Sequence, residues 1–291
     1  MAPQKLARVI INTAAKNEAD DQYAIVPAQF GSTKSPHTLK DRHDEVMLLL
    51  RLMNLEGKVT VADGAAGPIP DETTPAPSPG AELSVREAMK DDPRPLHVAF
   101  LGPLTDMASA ILMEPRIAQR NVRVVWIGGG HWPVGNREYN LSNDITRAIV
   151  VARSGIEIWQ IPMTVYRKMP VSYAELYERV YDKGAIGKYL VDQLIEWNER
   201  TAVVPMEHRS LGDSPAIGVM MYPVCGTSEW VAGPEYSPLM NYVHTGRNRP
   251  IKLYKDVDQR FIHEDFFATL ARFARGEQEL AAFTRYRFRA G

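Results

Sequence analysis

The chain has 291 residues, 45% of them hydrophobic and 24% charged, the composition of an ordinary globular protein with enough apolar residues for a sizeable core. Its 34 basic and 35 acidic side chains nearly cancel and form no long basic run, so there is no electrostatic case for nucleic acid or a membrane as partner; a small-molecule ligand is expected. Cys225 is the only cysteine, which excludes an internal disulfide framework and a thiolate metal cluster and fits a reducing, cytoplasmic compartment.

The apolar run near the N-terminus, RVIINT over Arg8 to Thr13, is too short for a signal peptide or a membrane span and reads instead as a buried strand. Further strands are predicted at Val59 to Asp63, Leu96 to Gly102, Val122 to Gly130 and Ile156 to Pro162. Their hydrophobicity is continuous rather than alternating, as in strands covered on both faces of a parallel sheet. Helices are predicted between them, at His43 to Leu55, Ser84 to Lys90, Asp106 to Met113 and Ile145 to Ser154, with Ser84 and Glu87 forming a capping box. The βαβ rhythm predicts an α/β fold: an open, mostly parallel, Rossmann-like sheet flanked by helices over residues 1 to about 165. A largely helical C-terminal portion follows, beginning at Ser172 to Tyr181 and Ile186 to Arg200. The Pro- and Gly-rich stretch Gly64 to Gly80 reads as a surface loop, and no interdomain linker interrupts the chain, so a single domain over 1–291 is expected. Between Asp21 and Phe30 there are too few residues for a full crossover helix plus a second parallel strand. Either that crossover is degenerate or the chain lacks residues between about Ala24 and Pro27.

The segment after the first strand, AAKNEADD, delivers Asp20 and Asp21 to a helix start. In open α/β sheets, ligands bind in the crevice beyond the carboxyl ends of the strands. Two adjacent carboxylates there suit a hard cation, although acids in a first helical turn also simply complement the helix dipole.

Three segments, NTAAKNEADD, FLGPLTDMASAILMEP and WIGGGHWPVGNREYNLSNDITRA with the following GIEIWQIPMTV, resemble in order the nucleoside hydrolase family, the calcium-dependent N-ribohydrolases. A fourth, LGDSPAIGVMMYP, matches the family's late aspartate. The resemblance implies an N-glycosidase that cleaves a ribonucleoside or related riboside with water held by Ca²⁺, working as a homodimer or homotetramer. It assigns Asp21, Asp213 and the backbone carbonyl of Thr105 to calcium. Asp20 would accept from the ribose 2′-hydroxyl and Asp213 from the 3′-hydroxyl, while Asn136, Glu138 and Asn140 would reach the sugar's 5′ side. The loop holding Asn136 and Glu138 is shorter than the family's usual form.

Two departures qualify this. Ala14 stands where the family carries the acid that binds calcium and serves as general base, and a methyl group does neither. An impaired protein is therefore expected, either a natural non-hydrolytic member or an Asp→Ala substitution that traps ligand; the intact ribose-binding residues favour the substitution. Gly212 stands where many members have a histidine that protonates the leaving base, which leaves His131 and His208 as candidates and Trp132 as a base-stacking candidate or a packing residue.

Two rivals remain open. A non-catalytic riboside-binding protein on the same fold would explain Ala14. A metal-dependent phosphohydrolase would need a phosphate cradle, for which Gly128 to His131 is the candidate, but the lysine or arginine spacing is absent. The glycine run lacks the order of a dinucleotide fingerprint. Phe266, Leu270 and Phe273 near the C-terminus read as the core face of an amphipathic helix.

Overall fold

The computed structural model describes residues 7–13, 15, 19–24, 28–30, 39–202, 204 and 206–276. Ala14 and residues 26 and 27, singled out above, lie outside them. The continuous apolar runs become the strands of one sheet: β1 (Arg8–Thr13), β2 (Ala28–Phe30), β3 (Leu96–Phe100), β4 (Val122–Ile127) and β5 (Glu157–Ile161). All their pairings are parallel, in the order β2-β1-β3-β4-β5. Successive residues of these strands face opposite layers, which is why the runs carry no polar alternation. Ile10, Val98, Phe100, Val124, Trp126 and Ile158 pack in one core with helices α3 (Pro79–Ala88), α4 (Thr105–Met113) and α6 (Ile145–Arg153). Ile11, Ala99, Leu101, Val125, Ile127 and Trp159 pack in the other with α10 (Ser214–Met221).

A third cluster joins α2 (Leu39–Leu52), α9 (Gly184–Thr201) and α11 (Gln259–Ala274) through Leu49, Leu50, Leu190, Leu194, Phe267 and Leu270. Phe266, Leu270 and Phe273 all belong to it, as the amphipathic pattern requires. Short helices α1 (Asp21–Ala24), α5 (Tyr139–Asn143), α7 (Met163–Tyr166) and α8 (Tyr173–Leu176) complete the α-helices among the described residues.

Four expectations are corrected or extended. Of the connection between β1 and β2 the structure describes the single-turn α1, and β2 pairs parallel with β1. Among the described residues Val59 to Asp63 forms no strand of the sheet, only a single bridge position at Ala62, and Val59 and Val61 pack on the α2/α9 cluster. The cap of α3 is Ser78, whose Oγ accepts from the Ala81 amide at 2.9 Å, whereas Ser84 lies inside the helix and donates to the Gly80 carbonyl. Beyond residue 165 the helices are joined by a short antiparallel pair, β6 (Pro170–Ser172) with β7 (His208–Ser210), and by a long hairpin, β8 (Gly226–Tyr236) and β9 (Tyr242–Val257). β9 pairs parallel with β5 and extends the central sheet to the order β2-β1-β3-β4-β5-β9-β8. Bulges and exposed, charged positions along the hairpin obscure its period in the sequence.

From β1 the chain goes first to β2 on one side and then to β3 on the other, so the direction of winding reverses at β1. The crevice at such a switch point, beyond the carboxyl ends of the strands, is where an open α/β sheet binds its ligands.

Candidate active site

Asp20 and Asp21 follow the end of β1 and open α1, and Asp213 opens α10. One oxygen from each carboxylate lies within 4.8 Å of the others, although each residue is no more than 7% exposed. Three carboxylates this close cannot all stay ionised without cations or donors around them. Thr13 Oγ1 donates to Asp21 Oδ1, and the Arg42 guanidinium on α2 faces Asp21. The amides of Asp20, Gly212 and Asp213 and the Arg209 guanidinium on β7 face Asp20. Burial nonetheless dominates and raises the Asp20 carboxyl above its ordinary value, against the pull of Arg209 and those amides. The cluster offers only oxygen ligands, so it can hold a hard metal ion.

Two buried side-chain atoms where β1 and β3 end also lack partners among the described residues. Asn12, at the end of β1, has an Oδ1 without a partner among the described residues, and the Thr105 Oγ1 is in the same position at the first turn of α4. The loop carrying Thr105 leaves β3 beside β1, where the Leu101 amide donates to the Asn12 carbonyl at 2.9 Å. Thr105 therefore flanks the end of the strand that leads to Asp20 and Asp21.

The ribose-side candidates are placed differently from one another. Asn140 is half-buried across the carboxyl ends of β3 and β4, its Nδ2 donating to the Ile127 carbonyl at 2.9 Å and more weakly to that of Leu101. Glu138 is 2% exposed and caps α5. Its Oε2 accepts from the amides of Gly129 (2.9 Å) and Leu141 (2.8 Å), its Oε1 from the Asn140 amide (3.0 Å) and the Tyr166 hydroxyl (2.8 Å). Asn136 closes its own loop, with Oδ1 accepting from the His131 amide at 2.6 Å and Nδ2 donating to the Arg137 carbonyl. Tyr166 joins the two halves: its ring lies against Gly212, the neighbour of Asp213, while its hydroxyl holds Glu138.

The other sequence candidates fare unevenly. His131 is exposed. His208 is exposed and adjacent on β7 to Arg209; strand alternation turns it away from Asp20, which Arg209 faces. Trp132 packs on Tyr242 and His244 at ring-centre distances of 5.3 and 5.0 Å. The glycines at 128 to 130 make no free phosphate cradle, since the Gly128 amide donates to the Ile161 carbonyl and the Gly129 amide to Glu138. Gly129 has a φ of 88°, and a Cβ there would stand 2.1 Å from Gln160 Nε2, so only glycine fits.

Arg42, Arg209, Asp106 and Tyr166 carry no motif that marks them in the sequence. The sole hint is for Asp106, which directly follows Thr105. Its Oδ2 accepts from Asn12 Nδ2 at 2.7 Å and its Oδ1 from Ser78 Oγ (2.6 Å) and the Ala65 amide (3.0 Å), tying both ends of the Gly64 to Gly80 stretch to the end of β1.

A parallel sheet with a buried acid cluster at its switch point defines an α/β protein built to bind a polar ligand, with a site able to take a metal ion. The model of the inosine-uridine preferring nucleoside hydrolase family matches residues 14–268, and the chain belongs to that family. It is 28% identical over 149 residues to probable uridine nucleosidase 2 of Oryza sativa subsp. japonica, covering 47% of this chain and 44% of the relative. It is 25% identical over 154 residues to the pyrimidine-specific ribonucleoside hydrolase RihA of Salmonella typhi, covering 51% and 49%. The matches thus span about half the length of these curated relatives. The fold is also that of the purine-preferring ribonucleoside hydrolase from Gardnerella vaginalis, with a TM-score of 0.75 at 18% identity over 92% of this chain and 99% of that one. Among the described residues no helix is long and apolar enough to cross a membrane.

Proposed function

We propose that the protein is a calcium-dependent N-ribohydrolase, a single domain over its 291 residues, whose substrate is a ribonucleoside or related riboside and whose present sequence is catalytically impaired. The observation that carries the reading is the trio Asp20, Asp21 and Asp213 at the switch point, within 4.8 Å of one another and buried. In this reading Asp21, Asp213 and the Thr105 carbonyl hold Ca²⁺, which when bound polarises water and the sugar diol. Asp20 accepts from the 2′-hydroxyl, Asp213 from the 3′-hydroxyl, and Asn140 fixes the ring against the ends of β3 and β4, with Asn136 and Glu138 on the 5′ side. Position 14 is that of the general base; the methyl of Ala14 takes no proton, so water stays unactivated while binding is retained. The names of the relatives span uridine, pyrimidine and purine preferences, so the reading stops at the riboside class.

A second reading, a riboside-binding protein without turnover, is favoured by Ala14 itself. Release of free ribose from a nucleoside panel, with and without calcium, separates the two when this chain is compared with the Ala14→Asp protein. Turnover only in the Ala14→Asp protein, dependent on Ca²⁺, is the expected result. Binding without turnover in both would leave the second reading standing, and no Ca²⁺ uptake by either would sink the calcium assignment.

A further inference from the structure

Glu138 has no room for a new hydrogen-bond donor. Each of its carboxylate oxygens already accepts two, all at 3.0 Å or less, and the side chain is 2% exposed. Three of those donors are backbone amides that belong to the cap of α5 and to the Gly129 turn, so they cannot leave without unwinding the local chain. The fourth, the Tyr166 hydroxyl, is the one side-chain donor in the set. A phenol that donates its proton to a carboxylate keeps its oxygen lone pairs as acceptors.

Tyr166 also reaches the acid cluster. A Cβ built on Gly212 would stand 3.2 Å from Tyr166 Cδ2 and 3.3 Å from Asp20 Oδ2, so ring and carboxylate flank the same bare backbone. The half-buried ring thus runs from the neighbourhood of Asp20 to Glu138, at the end of α7 just beyond β5. A ribose spans a comparable length from its diol to its hydroxymethyl oxygen, so a sugar with its diol at the acid cluster can reach the phenol at the far end of the ring.

We propose that Tyr166 makes the direct contact to the hydroxymethyl group of the bound sugar, with Glu138 as a positioning residue that orients the phenol and Gly212 bare because the ring needs the space. The contact runs from sugar hydroxyl to Tyr166 oxygen to Glu138 Oε1. This rests on the riboside reading above and shifts the sugar contact from a residue that the sequence pattern marks to one that it does not.

The test is calorimetric binding of uridine and inosine, each against its 5′-deoxy analogue, to the calcium-loaded chain and its Tyr166→Phe and Gly212→Ala variants. The unsubstituted chain is expected to prefer the hydroxymethyl compound by about tenfold, the worth of one hydrogen bond. Tyr166→Phe keeps the ring and should bring the ratio close to one while Ca²⁺ affinity stays unchanged, with a lower thermal midpoint because the buried Glu138 loses a donor. Gly212→Ala, which keeps the hydroxyl but crowds the ring, should lower the ratio as well. A ratio that survives both substitutions would overturn the proposal and return the contact to another residue. If the unsubstituted chain takes up Ca²⁺ but neither nucleoside, it is the riboside reading that fails, and the Tyr166 assignment falls with it.

Discussion

Asp106 shows how much of the site hangs on one residue that touches no ligand in the proposed reading. It is fully buried, and burial raises its carboxyl above the ordinary range against the donors Ser78, Asn12 and the Ala65 amide and the nearby Arg147. Removing a buried acceptor leaves its donors unsatisfied, which costs more than the hydrogen bonds themselves contributed. Asp106→Ala should therefore destabilise the protein by about 3 kcal/mol, read as a shift in the urea midpoint, and weaken Ca²⁺ uptake by loosening the end of β1. An unchanged midpoint would remove Asp106 from this role. The sequence marks Asp20, Asp21 and Asp213 because adjacent acids at a strand end and a late acid in a recognisable segment are local patterns. Asp106 is one acid in a first helical turn, indistinguishable there from an ordinary dipole complement. Only the fold brings residues 12, 65 and 78 to it.

Across the opposite end of the sheet, β3, β4 and β5 place His97, Arg123 and Glu157 in one register row. Arg123 Nη1 donates to His97 Nε2 at 3.2 Å, which fixes the imidazole proton on Nδ1. The ring is 6% exposed. Burial and then the Arg123 charge lower its pKa to about 4, with Glu157 opposing. The unfolded chain takes up a proton as the pH falls through about 6.5, and the native state does not until about 4. Stability from this group is thus complete above the unfolded value and is lost progressively as the pH falls towards 4, by about 3 kcal/mol at most over the window. Urea unfolding at pH 7, 6 and 5 should show a shallower loss for His97→Gln than for the parent chain; parallel curves would rule out the His97 contribution. Elements were legible in proportion to their burial on both faces. β1, β3, β4 and β5 announce themselves as apolar runs, whereas Val59 to Asp63 has the same composition and among the described residues reaches only one bridge position, at Ala62, because pairing depends on neighbours as well as composition. The β8–β9 hairpin, with one face largely exposed, carries no such run.

For the whole molecule, the acid cluster couples metal binding to folding, since the three carboxylates come from chain positions 20, 21 and 213 and meet only in the folded state. A ligand that binds only the native state at about a hundred times its Kd adds about 3 kcal/mol. Calcium should therefore raise the thermal midpoint by about 5 °C, with reversal by a chelator and no shift in an Asp21→Asn, Asp213→Asn double variant. A calcium shift that persists in the double variant would place the ion elsewhere. The sequence by itself determined the class of sheet, the chain order of its first strands, the family and the acids at the switch point. These are properties of local periodicity and of residue types in fixed spacing, which a linear chain displays directly. The tertiary structure alone decided which charges neutralise those acids, that Glu138 is saturated by a helix cap, that Tyr166 bridges the two halves of the site and that β9 extends the sheet. Each of those depends on residues tens to hundreds of positions apart coming within a hydrogen bond or a ring contact of one another, and the packing of helices on a twisted sheet sets that separation rather than any pattern along the chain.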